Sequence, residues 1–181
     1  MMLRDIIKMN TINDGTRTLF ESIVVPEVLS ALTDWRNATS GNGVLIGGLA
    51  VSYYARSRQT MDVDIMFLNP ADIPEQVQGF KRTRPGAFQH NVTHVEIEVI
   101  SPATINLPQH VANKVMDTAV NIDGVQVASP SAIVALKLHR MKRYDEGDIA
   151  SMLETGRVDM SGWELTPDQM KTFQEIVERN S

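Results

Sequence analysis

The chain has 181 residues, and at about 150 residues per domain that is one domain, or one with a short extension. Hydrophobic residues make up 43% and charged residues 22%, the balance of a globular chain. The absence of cysteine excludes a disulfide scaffold, a zinc–thiolate site and cysteine chemistry. Lys+Arg 17 against Asp+Glu 22 gives a net charge of −5, which argues against a general polyanion binder but leaves room for a local basic groove. The opening MMLRDIIKMN has no apolar h-region and no small-residue cleavage site. No apolar run approaches the ~20 residues of a membrane span. A cytoplasmic protein with no membrane partner is expected.

In chain order, apolar residues over 16–38 recur at helical spacing, with Leu19, Phe20 and Ile23 before Pro26 and Val28, Leu32 and Trp35 after it. Pro26 divides the stretch into two helical pieces. Ser40-Gly41-Asn42-Gly43 is a turn, followed by a short strand over Val44-Leu45-Ile46 that ends in Gly47-Gly48. Leu49 to Arg58 is predicted helical. Met61 to Leu68 alternates as a strand, with Asp62, Asp64, Met66 and Leu68 on one face. A meander follows, with strands near Gly79–Thr83, Phe88–Val92 and His94–Ile100 and a turn at Pro85-Gly86. A helix near Pro108–Met116 leads to a hairpin, Val120–Ile122 and Val125–Val127, about Asp123-Gly124. Ser129-Pro130 starts a helix expected to run to about Tyr144; Asp145–Leu153 begins another, and Thr166-Pro167 opens a last one through Arg179. The order implies α/β or α+β with a mixed sheet flanked by helices and a helical C-terminal portion. No repeat or low-complexity tract marks a boundary, so residues 1–181 are read as one domain, with a core over about 40–128 and the helical portion over about 129–181.

The chemistry concentrates between Ile46 and Asp64. Aspartates at i and i+2 on a strand share a face with Cα atoms about 6.6 Å apart, so both carboxylates can reach one cation or a pair of them. Two hard cations can clamp the attacking and leaving oxygens of a phosphoryl displacement. Taken alone, Asp-x-Asp also fits two solvated acids on an exposed strand. Aspartate is depleted in strands, however, and here two sit among Met, Val, Ile and Phe, where they repel each other and lose hydration unless a cation joins them. Glycines after the preceding strand let backbone N–H groups approach a phosphate, or simply make a tight turn. Glu96 and Glu98 share a face of the later strand, and one of them can complete a three-carboxylate site if that strand pairs beside the first.

Gly47-Gly48, 13 intervening residues, Asp62-x-Asp64 and an acid on a later strand resemble the nucleotidyltransferase superfamily related to DNA polymerase β. More narrowly, GGLAVSYYARSRQTMDVDIMF resembles the AbiEii-type branch, whose members include nucleotidyltransferase toxins of toxin–antitoxin systems. VQVASPSAIVALKLHRMKRYDEGDIASML is similar to that branch's C-terminal motif. The resemblance implies an NTP co-substrate and Mg²⁺ or Mn²⁺, with Asp62 and Asp64 binding metal and Gly47-Gly48 holding the triphosphate. Arg58 and Thr60 stand where the family places polar residues before the first aspartate. Lys137 matches a lysine expected to touch phosphates, and Asp148 the acidic residue following that helix, in a structural or lysine-orienting role. Glu98 best matches the third carboxylate, as a metal ligand or as the base for the acceptor hydroxyl, although the family's third acid is usually aspartate. The chain is also shorter than many relatives.

The activity so implied is metal-dependent transfer of an NMP from an NTP to an acceptor: RNA or protein in a toxin-like role, with an antitoxin as partner. The alternatives are a transferase acting on a small molecule, or a catalytically silent module that binds nucleotide or a partner. Lys81, Arg82 and Arg84 form a basic cluster that fits either an acceptor's phosphates or a charged guard on an edge strand. Arg140, Lys142 and Arg143 are assigned to a solvated helix face. The four histidines, His90, His94, His110 and His139, are assigned to structure or surface.

Overall fold

The computed structural model describes residues 24–56 and 58–181; the expected helical positions Leu19, Phe20 and Ile23 lie outside them. Pro26 opens helix α1 (Pro26–Thr39), whose buried Val28, Ala31, Leu32 and Trp35 form one stripe. Ser40 ends it in the left-handed region (φ 58°), and the Gly-rich turn delivers strand β1 (Val44–Ile46). Helix α2 (Gly47–Val51) follows directly. It is much shorter than the predicted Leu49–Arg58 because the chain tightens after it. Tyr53 N–H donates to Ala50 O at 3.2 Å and Tyr54 N–H to Val51 O at 2.9 Å, i→i−3 bonds that end an α-helix.

Six more strands complete the sheet: β2 (Val63–Met66), β3 (Phe80–Arg84), β4 (Ala87–His90), β5 (Glu96–Ile100), β6 (Val120–Ile122) and β7 (Val125–Val127). Their spatial order is β3-β4-β5-β2-β1-β7-β6. Strand β2 pairs antiparallel with β1 and parallel with β5, and β1 pairs parallel with β7, so the sheet is mixed as expected. The β6–β7 hairpin turns on Asp123 (φ 56°) and Gly124 (φ 82°), the two positive angles of a type I′ turn.

Helix α3 (Gln109–Asp117) precedes that hairpin. Helix α4 (Pro130–Arg140) starts as expected, with Ser129 Oγ accepting from Ala132 N–H at 3.2 Å. It is buried on every side from Ala132 to Leu138, because α2, α5 (Asp145–Glu154) and α6 (Pro167–Arg179) all touch it. It ends at Arg140 rather than Tyr144: Met141 turns left-handed (φ 38°), and the Asp145 carboxylate accepts from Lys142 N–H at 2.6 Å, tying the turn. Thr166 and Gln169 close a reciprocal capping box at the start of α6.

The sheet is covered on both faces. Trp35 of α1 meets Phe80 and Phe88 edge-on at 5.4 and 5.2 Å between centroids. The opposite face, bearing Ile46 and Asp64, looks toward α4 across a cleft. Among the described residues no helix is long and apolar enough to cross a membrane.

Candidate active site

The register sets the site. Ile46 stands opposite Asp64 across β1–β2, Asp64 opposite Glu98 across β2–β5, and Glu98 opposite Ala87 across β5–β4. Directly paired residues share a face, so Asp64 and Glu98 are neighbours, the arrangement needed for a third carboxylate. Gly47 sits at φ 73°, and a Cβ there would overlap the Asp64 Oδ2. Only glycine allows both the backbone angle and the approach of that carboxylate to the turn. A Cβ on Gly48 would lie 3.5 Å from Arg58 Nη2 and from Thr60 Cγ2, so the side chains before the first aspartate pack over the second glycine. Thr60 is buried, and its Oγ1 accepts from Asp62 N–H at 3.1 Å. Asp62 precedes the strand and is exposed; Asp64 is half-buried.

Burial is the main reason that the Asp64 carboxyl is pushed up to about 6. The Glu98 charge adds to that shift and Asp62 adds less, while Arg140 and Lys142 oppose it. Loss of hydration, more than the balance of neighbouring charges, therefore sets the cost of ionising Asp64.

A cleft of about 250 Å³ opens here. One wall is Gly47, Gly48, Asp62 and Asp64; the other is Lys137, Arg140, Lys142 and Tyr144. Arg58 also lines the cleft, its guanidinium carbon 4.7 Å from the centre of the Tyr144 ring. Thr60 and Glu98 are not part of the wall. Lys137 is buried, and its Nζ donates to Asp145 at 2.9 Å and to Asp148 at 2.6 Å. Glu98 is engaged on its outer side by Arg84, at 3.6 Å. Among the described residues no three acidic or histidine side chains converge as a ready-made metal cage.

Sequence reasoning missed four of these residues. Arg140 and Lys142 were assigned to a solvated face, and the structure corrects this by setting both in the cleft wall opposite Asp64. Helical spacing shows which residues share a face, but not what stands across from them. Tyr144 lies beyond α4 yet lines the cleft, and Asp145, read as a helix start, is the second acid on Lys137. The pattern Lys-x₇-Asp-x₂-Asp held that signal: two acids one helical turn apart, following a buried lysine.

The remaining candidates lie elsewhere. Lys81, Arg82 and Arg84 are exposed on β3, which is the sheet edge. His90 is buried between Asp34 (3.1 Å) and Thr93 (2.7 Å), His139 bonds Ile105 O at 3.0 Å, and His110 meets Glu164 at 3.1 Å.

A mixed sheet in which a strand ends in a glycine turn into a helix, beside an antiparallel strand that carries Asp64 with Asp62 just before it, is consistent with a nucleotidyltransferase fold. The chain belongs to the DUF6036 family, described as a nucleotidyltransferase of unknown function, whose family profile matches residues 24–181. No curated protein matches it.

Proposed function

We propose that this chain, as one domain over residues 1–181, moves an NMP from an NTP to an acceptor with the help of Mg²⁺ or Mn²⁺. The observation that carries the reading is the opposition, across one cleft, of Asp62 and Asp64 to Arg140 and Lys142, with Gly47-Gly48 beside the two acids. The donor set fits a hard divalent ion: all its ligands are carboxylate oxygens, and Asp64 is half-buried beside like charge. Asp62 and Asp64 would hold the ion, with Glu98 as third ligand. When bound, it offsets triphosphate charge and lowers the pKa of an acceptor hydroxyl.

The protein's own groups do the rest. The Gly47 and Gly48 backbone approaches the phosphates without a side chain in the way. Because α2 has only five residues, this contact relies on individual N–H groups more than on a helix dipole. Arg140 and Lys142 offset charge on the leaving pyrophosphate. Lys137 faces the same cleft with Asp145 and Asp148 orienting its ammonium, and Arg58 and Thr60 shape the floor over Gly48. Glu98 is the base candidate for the acceptor hydroxyl.

The AbiEii-like motifs favour a toxin-like, cytoplasmic transferase with an RNA or protein acceptor and an antitoxin partner. A transferase acting on a small molecule uses the same geometry. Glu98 stands outside the cleft wall, which favours a second reading, a silent nucleotide-binding module.

Binding of each NTP in turn, with and without Mg²⁺ or Mn²⁺, separates these readings. Metal-dependent binding lost in Asp62→Asn/Asp64→Asn supports transfer and names the nucleotide for an acceptor screen of RNA, proteins and small molecules. Binding indifferent to metal and to both acids sinks the transfer reading and leaves the binding module.

A further inference from the structure

Arg84 and the two glutamates of β5 form a charged cluster next to the site. Arg84 Nη2 lies 2.8 Å from Glu96 Oε1, and Nη1 lies 3.6 Å from Glu98 Oε1. A specific backbone irregularity aims it there. Arg82 stands opposite Phe88, so a regular antiparallel ladder would set Thr83 opposite Ala87. Instead the register shifts and Arg84 takes that place. The extra residue is a β-bulge, a device that re-aims side chains beside functional sites. It turns Arg84 onto the face of Ala87, Glu98 and Asp64, while Arg82 remains over the Phe88 ring on the other face, at 5.9 Å. Ala87 has only a methyl group, which leaves the span from β3 across β4 to β5 open.

We propose that Arg84 is a positioning residue for Glu98: anchored on Glu96, its guanidinium holds the third carboxylate beside Asp64 for use by a divalent ion. This rests on the transferase reading above. It also gives Glu96 and Glu98 distinct duties, Glu96 as anchor and Glu98 as ligand. A planar fork can fix two carboxylates at once, which an ammonium does less well.

Positioning and plain charge predict opposite signs. A cation this near to a ligand repels a metal ion, so if Arg84 acted by charge alone its removal would tighten metal binding. If it positions Glu98, removal weakens binding.

The test is titration of Mn²⁺ into the purified full-length chain without nucleotide, with free Mn²⁺ read by electron paramagnetic resonance. Arg84→Ala, Arg84→Lys, Arg82→Ala and Asp64→Asn are compared with wild type. The expected result is a loss of about tenfold in Arg84→Ala, the low end for residues that orient a metal ligand. Arg84→Lys falls between and guards against a fold defect in the alanine variant, Arg82→Ala matches wild type, and melting temperatures agree within about 2 °C, as for exposed ion pairs. Binding in Arg84→Ala as tight as wild type or tighter, while Asp64→Asn loses the metal, overturns the positioning role alone. Wild-type affinity in Asp64→Asn overturns the reading of the site and this inference with it.

Discussion

Replacing Asp64 by asparagine should stabilise the protein, and by an amount that depends on pH. Its carboxyl is raised from 3.8 to about 6 in the folded chain. The folded state therefore holds a proton there that the unfolded state has released between those values. Stability falls as pH rises through that window, and the penalty is fully present above about 6 and absent below about 4. Two units correspond to about 3 kcal/mol at 1.36 kcal/mol per unit, an upper bound because the amide remains partly buried. Asparagine carries no such charge at any pH. The informative quantity is the difference in unfolding free energy between Asp64→Asn and wild type, from urea titrations in chelator between pH 4 and pH 8. It should be near zero at pH 4 and climb to about 2–3 kcal/mol in favour of the variant by pH 8. Subtracting the two proteins cancels the titrating groups that do not interact with Asp64, leaving its own titration and its coupling to Glu98 and Asp62. Saturating Mg²⁺ at pH 8 should narrow the gap, because only wild type gains ligand stabilisation. A difference that stays flat with pH would refute the account of an acid whose ionisation is opposed by lost hydration.

Other substitutions probe the rest of the cleft. Gly47→Ala forces a methyl into the Asp64 carboxylate at a positive φ; a loss of about 1–3 kcal/mol in urea melts is expected, together with loss of metal-dependent NTP binding. Gly48→Ala, with ordinary contacts at 3.5 Å, should be milder on both measures. Lys137→Met leaves Asp145 and Asp148 buried without their cation, a loss of about 3–5 kcal/mol; adding Asp145→Asn and Asp148→Asn should recover more than half of it in the same melts. Arg140→Ala and Lys142→Ala should each weaken NTP binding roughly tenfold, equivalent to about 1.4 kcal/mol, with little change in melting temperature. Fluorescence anisotropy with a labelled NTP at two salt concentrations reads that effect, and unchanged affinity in both variants would remove the cationic wall from the site.

Much of this architecture was legible before any coordinates, for reasons that differ by element. Asp123-Gly124 and Ser129-Pro130 act through local backbone chemistry, so the hairpin and the start of α4 fell where expected. The pairing of Asp64 with Glu98 followed once the two strands were set side by side, but alternation alone left Glu96 and Glu98 equivalent. The register of β5 against β2, which sets Glu98 rather than Glu96 opposite Asp64, is what separates them, and no residue pattern announces it. The end of α4 was misjudged because the tie from Asp145 to Lys142 N–H is a contact made after the turn. Arg140 and Lys142 were misplaced for a related reason: their partner, Asp64, is about 75 residues back in sequence, beyond the reach of any local periodicity.

That separation bears on how the protein is made. The acids of the site, Asp62 and Asp64 in the cleft wall and Glu98 beside them, come from the middle third of the chain, and Arg140 and Lys142 come from the last quarter. Domains are synthesised from the N-terminus, so a nascent chain carries the carboxylates of the cleft well before these two opposing cations emerge. Until α4 docks, the sheet face holding Asp64 lacks both its cover and that counter-charge. A divalent ion bound there as proposed would offset the repulsion at that stage, so Mg²⁺ supplied during translation should raise the yield of folded chain.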